Sequence, residues 1–244
     1  MGVADTLRAP DLLPRIASAV VMLALVGFDI WLGGWAFAAF VLLVAVAVYW
    51  EWWGLARRLA SGAGLVVWMV SGALYLGIAL ITLIALRAEG LAPAVTILAA
   101  VIAVDIGAYF AGRLIGGRKI APRISPSKTW AGLGGGVVAA TLTYAVLIGW
   151  VVGTQLEEGA AAQFGLALVA GSLTAIVAQI GDFFESWMKR RAGLKDSGSL
   201  IPGHGGLFDR TDGMIAVLFA LGLFMLATIG VQLASGGSLL PTPA

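Results

Sequence analysis

A short polar segment between Ser186 and Asp212 carries residues that could bind and activate a phosphorylated substrate. Asp182 lies just before this segment and Asp209 near its end, so a hairpin of helices would bring the two acids together. Mg²⁺ prefers one or two carboxylates together with waters and phosphate oxygens, and such a pair suits a two-cation clamp for displacement at phosphorus. An ion pair between Asp182 and Lys189, or helix-dipole stabilisation by Asp209, is the structural alternative. We predict that Asp182 and Asp209 are catalytic residues and metal ligands.

A glycine-rich turn at residues 202–206 separates these acids and is flanked by basic side chains. Glycines allow backbone N–H groups to approach phosphate oxygens closely. His204 could bind a phosphate or assist proton transfer, or it could be an ordinary loop histidine. The positive charges would offset a triphosphate, but clustered basic residues are also a topology signal of membrane proteins. The further candidate catalytic residues are Lys195, His204, Arg210 and Asp212. The candidate substrate-binding residues of this segment are Lys189, Arg190, Gly203, Gly205 and Gly206.

A second polar segment, residues 113–132, precedes another apolar stretch. Hydroxyl groups beside Lys128, followed directly by a helix N-terminus, form a typical anion-binding arrangement. Upstream, Asp105 and Tyr109 fall on one helix face, and Asp105 is either an active-site acid or the partner of Arg113 or Lys128. The candidate substrate-binding residues of this region are Asp105, Tyr109, Ser125, Ser127, Lys128 and Thr129.

The remainder of the chain is apolar enough to position these segments in a membrane. Hydrophobic residues make up 60% of the 244 residues and charged residues 11%, whereas a soluble domain averages about 25% charged residues. Strands of alternating hydrophobicity are missing, so helices are the expected spanning elements. The absence of cysteine excludes disulfides and thiolate metal sites, and one histidine argues against a zinc site of several imidazoles. The sequence predicts an all-α polytopic integral membrane protein.

Seven apolar stretches are long enough to cross a bilayer, and a broken helix would raise the number of spans to eight or nine. All Lys and Arg residues except Arg87 fall on one side of the predicted membrane. The positive-inside rule therefore places the N-terminus and both basic loops in the cytoplasm, where the two loops would form the active site. The first stretch is predicted to be a retained helix rather than a cleaved signal. The predicted spans are 16–32, 35–53, 64–86, 92–112, 130–151, 164–185 and 213–234.

Both polar segments resemble the signatures of the phosphatidate cytidylyltransferase (CDP-diacylglycerol synthase) family. The first matches S-x-x-K-R, then K-D-x-G, then P-G-H-G-G-x-x-D-R-x-D at every fixed position. Motifs around Asp105, Ser125 and Asp182 are also similar to that family, so the resemblance covers about residues 100–213. Gly213 departs from the pattern, because a serine commonly follows the last aspartate.

The resemblance implies an activity: CTP and phosphatidate would give CDP-diacylglycerol and pyrophosphate in a magnesium-dependent in-line transfer. It also implies a two-cation centre at Asp182 and Asp209, with K⁺ a candidate for the second ion, and adds Asp196 to the substrate-binding residues. A homodimer in the bacterial cytoplasmic (inner) membrane is expected, and no nucleic-acid partner. We divide the single membrane domain into an anchor or dimer part (1–95), a catalytic part (96–234) and a short tail (235–244).

Three other functions would also account for part of the polar sequence. A secondary transporter for an anion would also carry acids within its spans and glycine-broken helices, but the polar residues here cluster on one face and no inverted repeat is visible. A related enzyme acting on another lipid phosphate would share the same polar motifs. A hydrolase using Ser199, His204 and Asp209 would lack the strand–turn–helix setting that such a nucleophile needs.

Overall fold

Seven helices and one small β-hairpin make up the part of the chain that the computed structural model describes, which is residues 24–152, 159–200 and 205–235. Six of the helices are long and apolar enough to cross a membrane. The predicted all-α membrane class is therefore confirmed, and the protein is a multi-pass membrane protein. In chain order the elements are α1 (24–32), α2 (Gly34–Leu59), α3 (Gly62–Glu89), α4 (Leu91–Leu114), β1 (Lys119–Ala121), β2 (Ser125–Thr129), α5 (Trp130–Val152), α6 (Ala160–Arg191) and α7 (Phe208–Ala234).

Glycines in backbone conformations that other residues rarely adopt break the apolar chain into separate helices. Gly33, with φ 66°, separates α1 from α2, and Gly90, with φ 150°, separates α3 from α4. Arg87, the one basic residue predicted outside the cytoplasmic face, donates from Nε to the Ile30 carbonyl at 2.6 Å. Its Nη2 donates to the Trp31 carbonyl at 3.1 Å. This arginine therefore satisfies carbonyls at the end of α1 that have no partner within the helix.

Two polar regions differ from the sequence prediction. The α6 helix continues to Arg191, past the predicted end at residue 185, and Lys189 pairs with Glu185 one turn earlier, a spacing that supports a helix. The segment between α4 and α5 forms an antiparallel hairpin of β1 and β2, whereas we predicted only a loop. Trp130 N donates to the Arg118 carbonyl at 3.1 Å, so the hairpin leads directly into α5.

Aromatic packing joins α2, α3, α6 and α7 into the largest core cluster. Trp52 is 2% exposed and donates from its indole nitrogen to the Trp68 carbonyl at 2.9 Å. Its ring centroid lies 5.8 Å from those of Phe184 and Phe208. This packing fixes the first turn of α7 against the C-terminal third of α2, and most of the site described next lies beside it.

Small residues hold α4 and α5 together in a second close contact. A Cβ atom built on Gly107 would overlap the Gly135 carbonyl oxygen and the Ala139 side chain. The same is true in reverse, since a Cβ on Gly135 would overlap Ala111 and Gly107. Glycine permits such close helix approach in membranes, and this contact places Asp105 on α4 near the start of α5.

Candidate active site

Asp209, in the first turn of α7, is held by hydrogen bonds at both carboxylate oxygens. Its Oδ2 accepts from Ser197 N at 2.8 Å, Ser197 Oγ at 2.9 Å and Gly206 N at 2.8 Å. Its Oδ1 lies 2.5 Å from Lys189 Nζ. Charge-assisted hydrogen bonds of this kind are stronger than neutral ones. The side chain of Asp209 thus links Ser197 to Gly206 and leaves Oδ1 directed at a cation.

Lys189 links Asp209 to a second buried acid. Its Nζ is also 2.5 Å from Glu185 Oε2, and the Glu185 side chain is 1% exposed. The other oxygen of Glu185, Oε1, is buried without a hydrogen-bond partner among the described residues. One ammonium therefore pairs with two carboxylates, and removing it would leave both acids without a cation in a low-dielectric interior, which is costly.

Glu51, on α2, is a site residue that the sequence analysis did not identify. Its carboxylate is 3% exposed. It accepts hydrogen bonds from Ser197 Oγ at 3.0 Å, Phe208 N at 2.7 Å and Leu207 N at 2.9 Å. One signal could have found it: an ionisable residue inside an apolar span is rare and normally paired, and Glu51 lies within the predicted span 35–53.

A separate group of charges surrounds Asp182 on α6. Asp182 Oδ2 forms an ion pair with Lys128 Nζ from β2, and its Oδ1 accepts a long hydrogen bond, 3.5 Å, from Ser186 Oγ. The charges of Asp105 and Asp212 interact electrostatically with both Asp182 and Lys128. Lys128 thus contacts one carboxylate and interacts at longer range with two more from other helices, and the two polar segments of the sequence meet here.

Among the described residues Asp105 forms no ion pair with either candidate partner, because Lys128 pairs with Asp182 and its charge interacts with Asp105 only at longer range. Arg113 instead donates to the Tyr109 hydroxyl at 3.0 Å, and the Tyr109 ring is exposed. The structural alternative for Asp182, an ion pair with Lys189, does not form, because Lys189 is directed at Glu185 and Asp209.

The hydroxyls of β2 have different surroundings. Ser125 and Thr129 are buried, at 8% and 3% exposure, and Thr129 Oγ1 accepts a hydrogen bond from Gly132 N at 3.0 Å. Thr129 thus caps the first turn of α5. Ser127 is exposed beside Lys128, so of the three hydroxyls it is the one open to a ligand.

Three more of the predicted site residues are exposed, and two lie outside the described residues. Lys195, Asp196 and Arg190 are exposed, and a Cβ built on Gly205 would lie 3.5 Å from Asp196 Cγ. Gly203 and His204 lie outside the described residues, so their roles stay predictions.

An apolar cavity of about 230 Å³ opens beside the first turn of α7. Arg210 and Thr211 lie at this cavity, and its other walls come from α1 to α4 and from α7 further along the helix. Apolar wall residues include Phe40, Val44, Ala45, Leu80, Met214 and Leu218.

The carboxylates of the site have the chemistry that a magnesium ion requires. Among the described residues, no three His, Asp or Glu side chains are grouped closely enough to hold a metal by themselves. Mg²⁺ does not need such a cage, because it is usually bound by one or two carboxylates, with waters and phosphate oxygens completing its shell. Asp182 and Asp209 each present one carboxylate oxygen to a lysine ammonium. The surroundings of each carboxylate are therefore compatible with a bound cation.

Comparison with known proteins gives a consistent family match. The model of the cytidylyltransferase family matches residues 59–228. A phosphatidate cytidylyltransferase of Brucella melitensis is 35% identical over 88% of this chain and 93% of its own length. One of Pseudomonas aeruginosa is 40% identical over 84% of this chain and 68% of its own, and one of Rickettsia bellii is 32% identical over 86% and 91%.

Proposed function

Because the chain belongs to the cytidylyltransferase family, we propose that it transfers the cytidylyl group of CTP to phosphatidate in phospholipid biosynthesis. The products are CDP-diacylglycerol and pyrophosphate, and the protein is a membrane nucleotidyltransferase. One observation carries this proposal: the family match at residues 59–228 contains both charge groups of the site, except for Glu51. The named relatives, which are similar over most of their length, support the same activity.

The reaction needs positioning and charge stabilisation more than covalent catalysis. A phosphate oxygen of phosphatidate attacks the α-phosphorus of CTP, and the bond from that phosphorus to the bridging oxygen breaks, so pyrophosphate leaves with the electron pair. A phosphate monoester carries between one and two negative charges near pH 7, so it needs no strong base. Lys128, Lys189, Lys195, Arg190 and Arg210 would offset the charge that develops on the triphosphate.

Magnesium binding is assigned in this proposal to Asp182 and Asp209. The support is that Asp182 Oδ1 has only a long hydrogen bond, and that one oxygen of each acid is directed at a lysine. Bound magnesium would neutralise and orient the phosphates. Asp212 interacts electrostatically with Asp182 and belongs to the same proposed site. A second cation such as K⁺ belongs to the same proposal.

The apolar cavity is a suitable place for one acyl chain of the lipid substrate. Its wall residues on α2 extend from Phe37 to Val48, a rise of about 16 Å at about 1.5 Å per residue. Arg210 lies at the cavity and next to Asp209 in the sequence, so a lipid with its chain in the cavity could present an anionic phosphate to Arg210. The charge of the arginine is complementary to that phosphate.

The orientation and assembly of the protein are further parts of the proposal. The one-sided distribution of Lys and Arg supports a cytoplasmic N-terminus and a cytoplasmic active site in a bacterial inner membrane. We also propose a homodimer, with residues 1–95 as the anchor or dimer part and 96–234 as the catalytic part. A reporter fused at Gly90 should be read outside the cytoplasm and one at Lys195 inside it.

Purified protein in detergent, supplied with phosphatidate, magnesium and labelled CTP, tests the proposed reaction. A chloroform-soluble CDP-lipid is the expected product. Product formed only with another lipid phosphate would assign the enzyme to a different acceptor. Labelled CTP that neither binds nor reacts would contradict nucleotidyl transfer.

A further inference from the structure

We propose that Glu51 is a positioning residue for the transfer reaction, acting through the first turn of α7 and through Asp209. This inference rests on the proposed function. Glu51 lies outside the residues that the family model matches and in the part of the chain that the sequence assigns to anchoring. Its carboxylate nevertheless reaches residues 146 and 157 positions away in the sequence.

Glu51 supplies the cap that α7 lacks. The residue preceding this helix, Leu207, makes no side-chain capping hydrogen bond, and a helix leaves its first N–H groups without internal partners. Glu51 Oε1 accepts from Leu207 N and Oε2 from Phe208 N. A negative charge at this end also interacts favourably with the helix dipole. The position of the first turn of α7, which contains Asp209, therefore depends on a carboxylate from α2.

A second connection runs from Glu51 to Asp209 through Ser197. The Ser197 hydroxyl lies 3.0 Å from Glu51 Oε2 and 2.9 Å from Asp209 Oδ2, and the residue is 7% exposed. A serine hydroxyl has a single proton to donate, so the two carboxylates share it. Moving or neutralising Glu51 changes the hydrogen bonds of Ser197 and, with them, the orientation of Asp209.

Two glycines allow the carboxylate to approach this segment. A Cβ on Gly198 would overlap Glu51 Oε1, and a Cβ on Gly206 would overlap Ser197 Oγ and come too close to Glu51 Oε2. Gly206, which the sequence suggests as a phosphate-approach glycine, thus also leaves room for Glu51. The neighbouring Trp52, packed on Phe208, keeps α2 at the correct distance.

The test compares Glu51→Gln with wild type, using Glu89→Gln as the matched control, because Glu89 is an exposed residue at the end of α3. We expect Glu51→Gln to lower kcat at least about tenfold, with KM for phosphatidate within about twofold, since positioning acts on the transition state more than on lipid binding. Hydrogen exchange should accelerate in peptides covering residues 205–212 and stay unchanged in α4 and α5. Glu89→Gln should match wild type in both measurements.

A kcat within about twofold of wild type would overturn the inference, as would faster exchange throughout the protein, which indicates a global structural role. If Glu51→Gln does not fold, Glu51→Asp is judged by the same criteria, because it keeps the charge and shortens the reach by one methylene. Wild-type protein that makes no CDP-lipid would refute the proposed function, whereas the exchange measurement would still decide whether Glu51 positions this segment.

Discussion

Lys128 on β2 forms an ion pair with Asp182 on α6, and this contact joins the two polar segments of the chain. The side chains are 28% and 23% exposed, so the pair is partly accessible and a phosphate could compete for the lysine. The charges of Asp105 and Asp212 lie near the same pair. The lysine therefore contacts one carboxylate and interacts with two further acids at longer range.

Replacing Lys128 should reduce the use of CTP. We expect Lys128→Ala to lower kcat/KM for CTP by about 100-fold, because one preorganised charge facing the transferring phosphates is worth about 10²–10³ in rate. Steady-state kinetics over a CTP series measures this loss. Lys119→Ala is the control, since Lys119 makes only a 3.4 Å contact to the Ser127 carbonyl. Equal kcat/KM in wild type and Lys128→Ala would contradict the role.

Lys189 should matter for folding as well as for catalysis. Lys189→Met leaves Glu185 and Asp209 without their shared cation, and breaking a buried pair in this way costs about 3–5 kcal/mol. At about 2–4 °C per kcal/mol for a chain of this size, Tm should fall by at least about 6 °C in a thermal scan in detergent. Adding Glu185→Gln to Lys189→Met should restore part of the lost Tm, because it removes one of the two unpaired carboxylates. The exposed Lys195→Met is the control, and an equal fall in Tm there would contradict the explanation.

Filling the apolar cavity should impair the use of long-chain lipid. Ala45→Phe places a ring in the space proposed for an acyl chain, so KM for a long-chain phosphatidate should rise about tenfold, equivalent to about 1.4 kcal/mol. KM for a short-chain phosphatidate should change much less. Ala39→Phe, at an exposed position of the same helix, should leave both values unchanged. A similar rise in KM for both lipids would argue against the cavity as the acyl site.

A methyl group at Gly206 should disturb the segment that Glu51 and Asp209 hold. Its Cβ would overlap the Ser197 hydroxyl, and such overpacking forces the surrounding groups to move. We expect Gly206→Ala to lose at least about 90% of kcat. Removal of one preorganised hydrogen bond in an active site lowers kcat by at least this much. Gly134→Ala on α5 is the control, because its Cβ would meet no atom within 4 Å. Normal turnover by Gly206→Ala would show that the contact is not required.

The helices could be predicted from the sequence because each span is a long apolar run, and helices are the structures that satisfy their own backbone in lipid. The hairpin of β1 and β2 was missed, since Lys119 to Thr129 is polar and shows no alternating pattern. Local spacing could not identify the partners of Asp182 and Lys189, because Lys128 and Asp209 lie on other elements; it offered only a pair between these two residues as the structural alternative. Glu51 was missed because a single acid in an apolar run says nothing about a partner more than 140 residues away.

Magnesium-dependent synthesis of CDP-lipid by wild type, Asp182→Asn and Asp209→Asn tests whether these two acids take part in the reaction. The assay is run across a magnesium series, with gel filtration in detergent to establish that each variant is folded. We expect wild type to form product only with magnesium, and each variant to keep less than about a tenth of that activity. A folded variant that keeps more than this fraction, at the same magnesium requirement as wild type, would contradict the assignment of these two acids to the reaction.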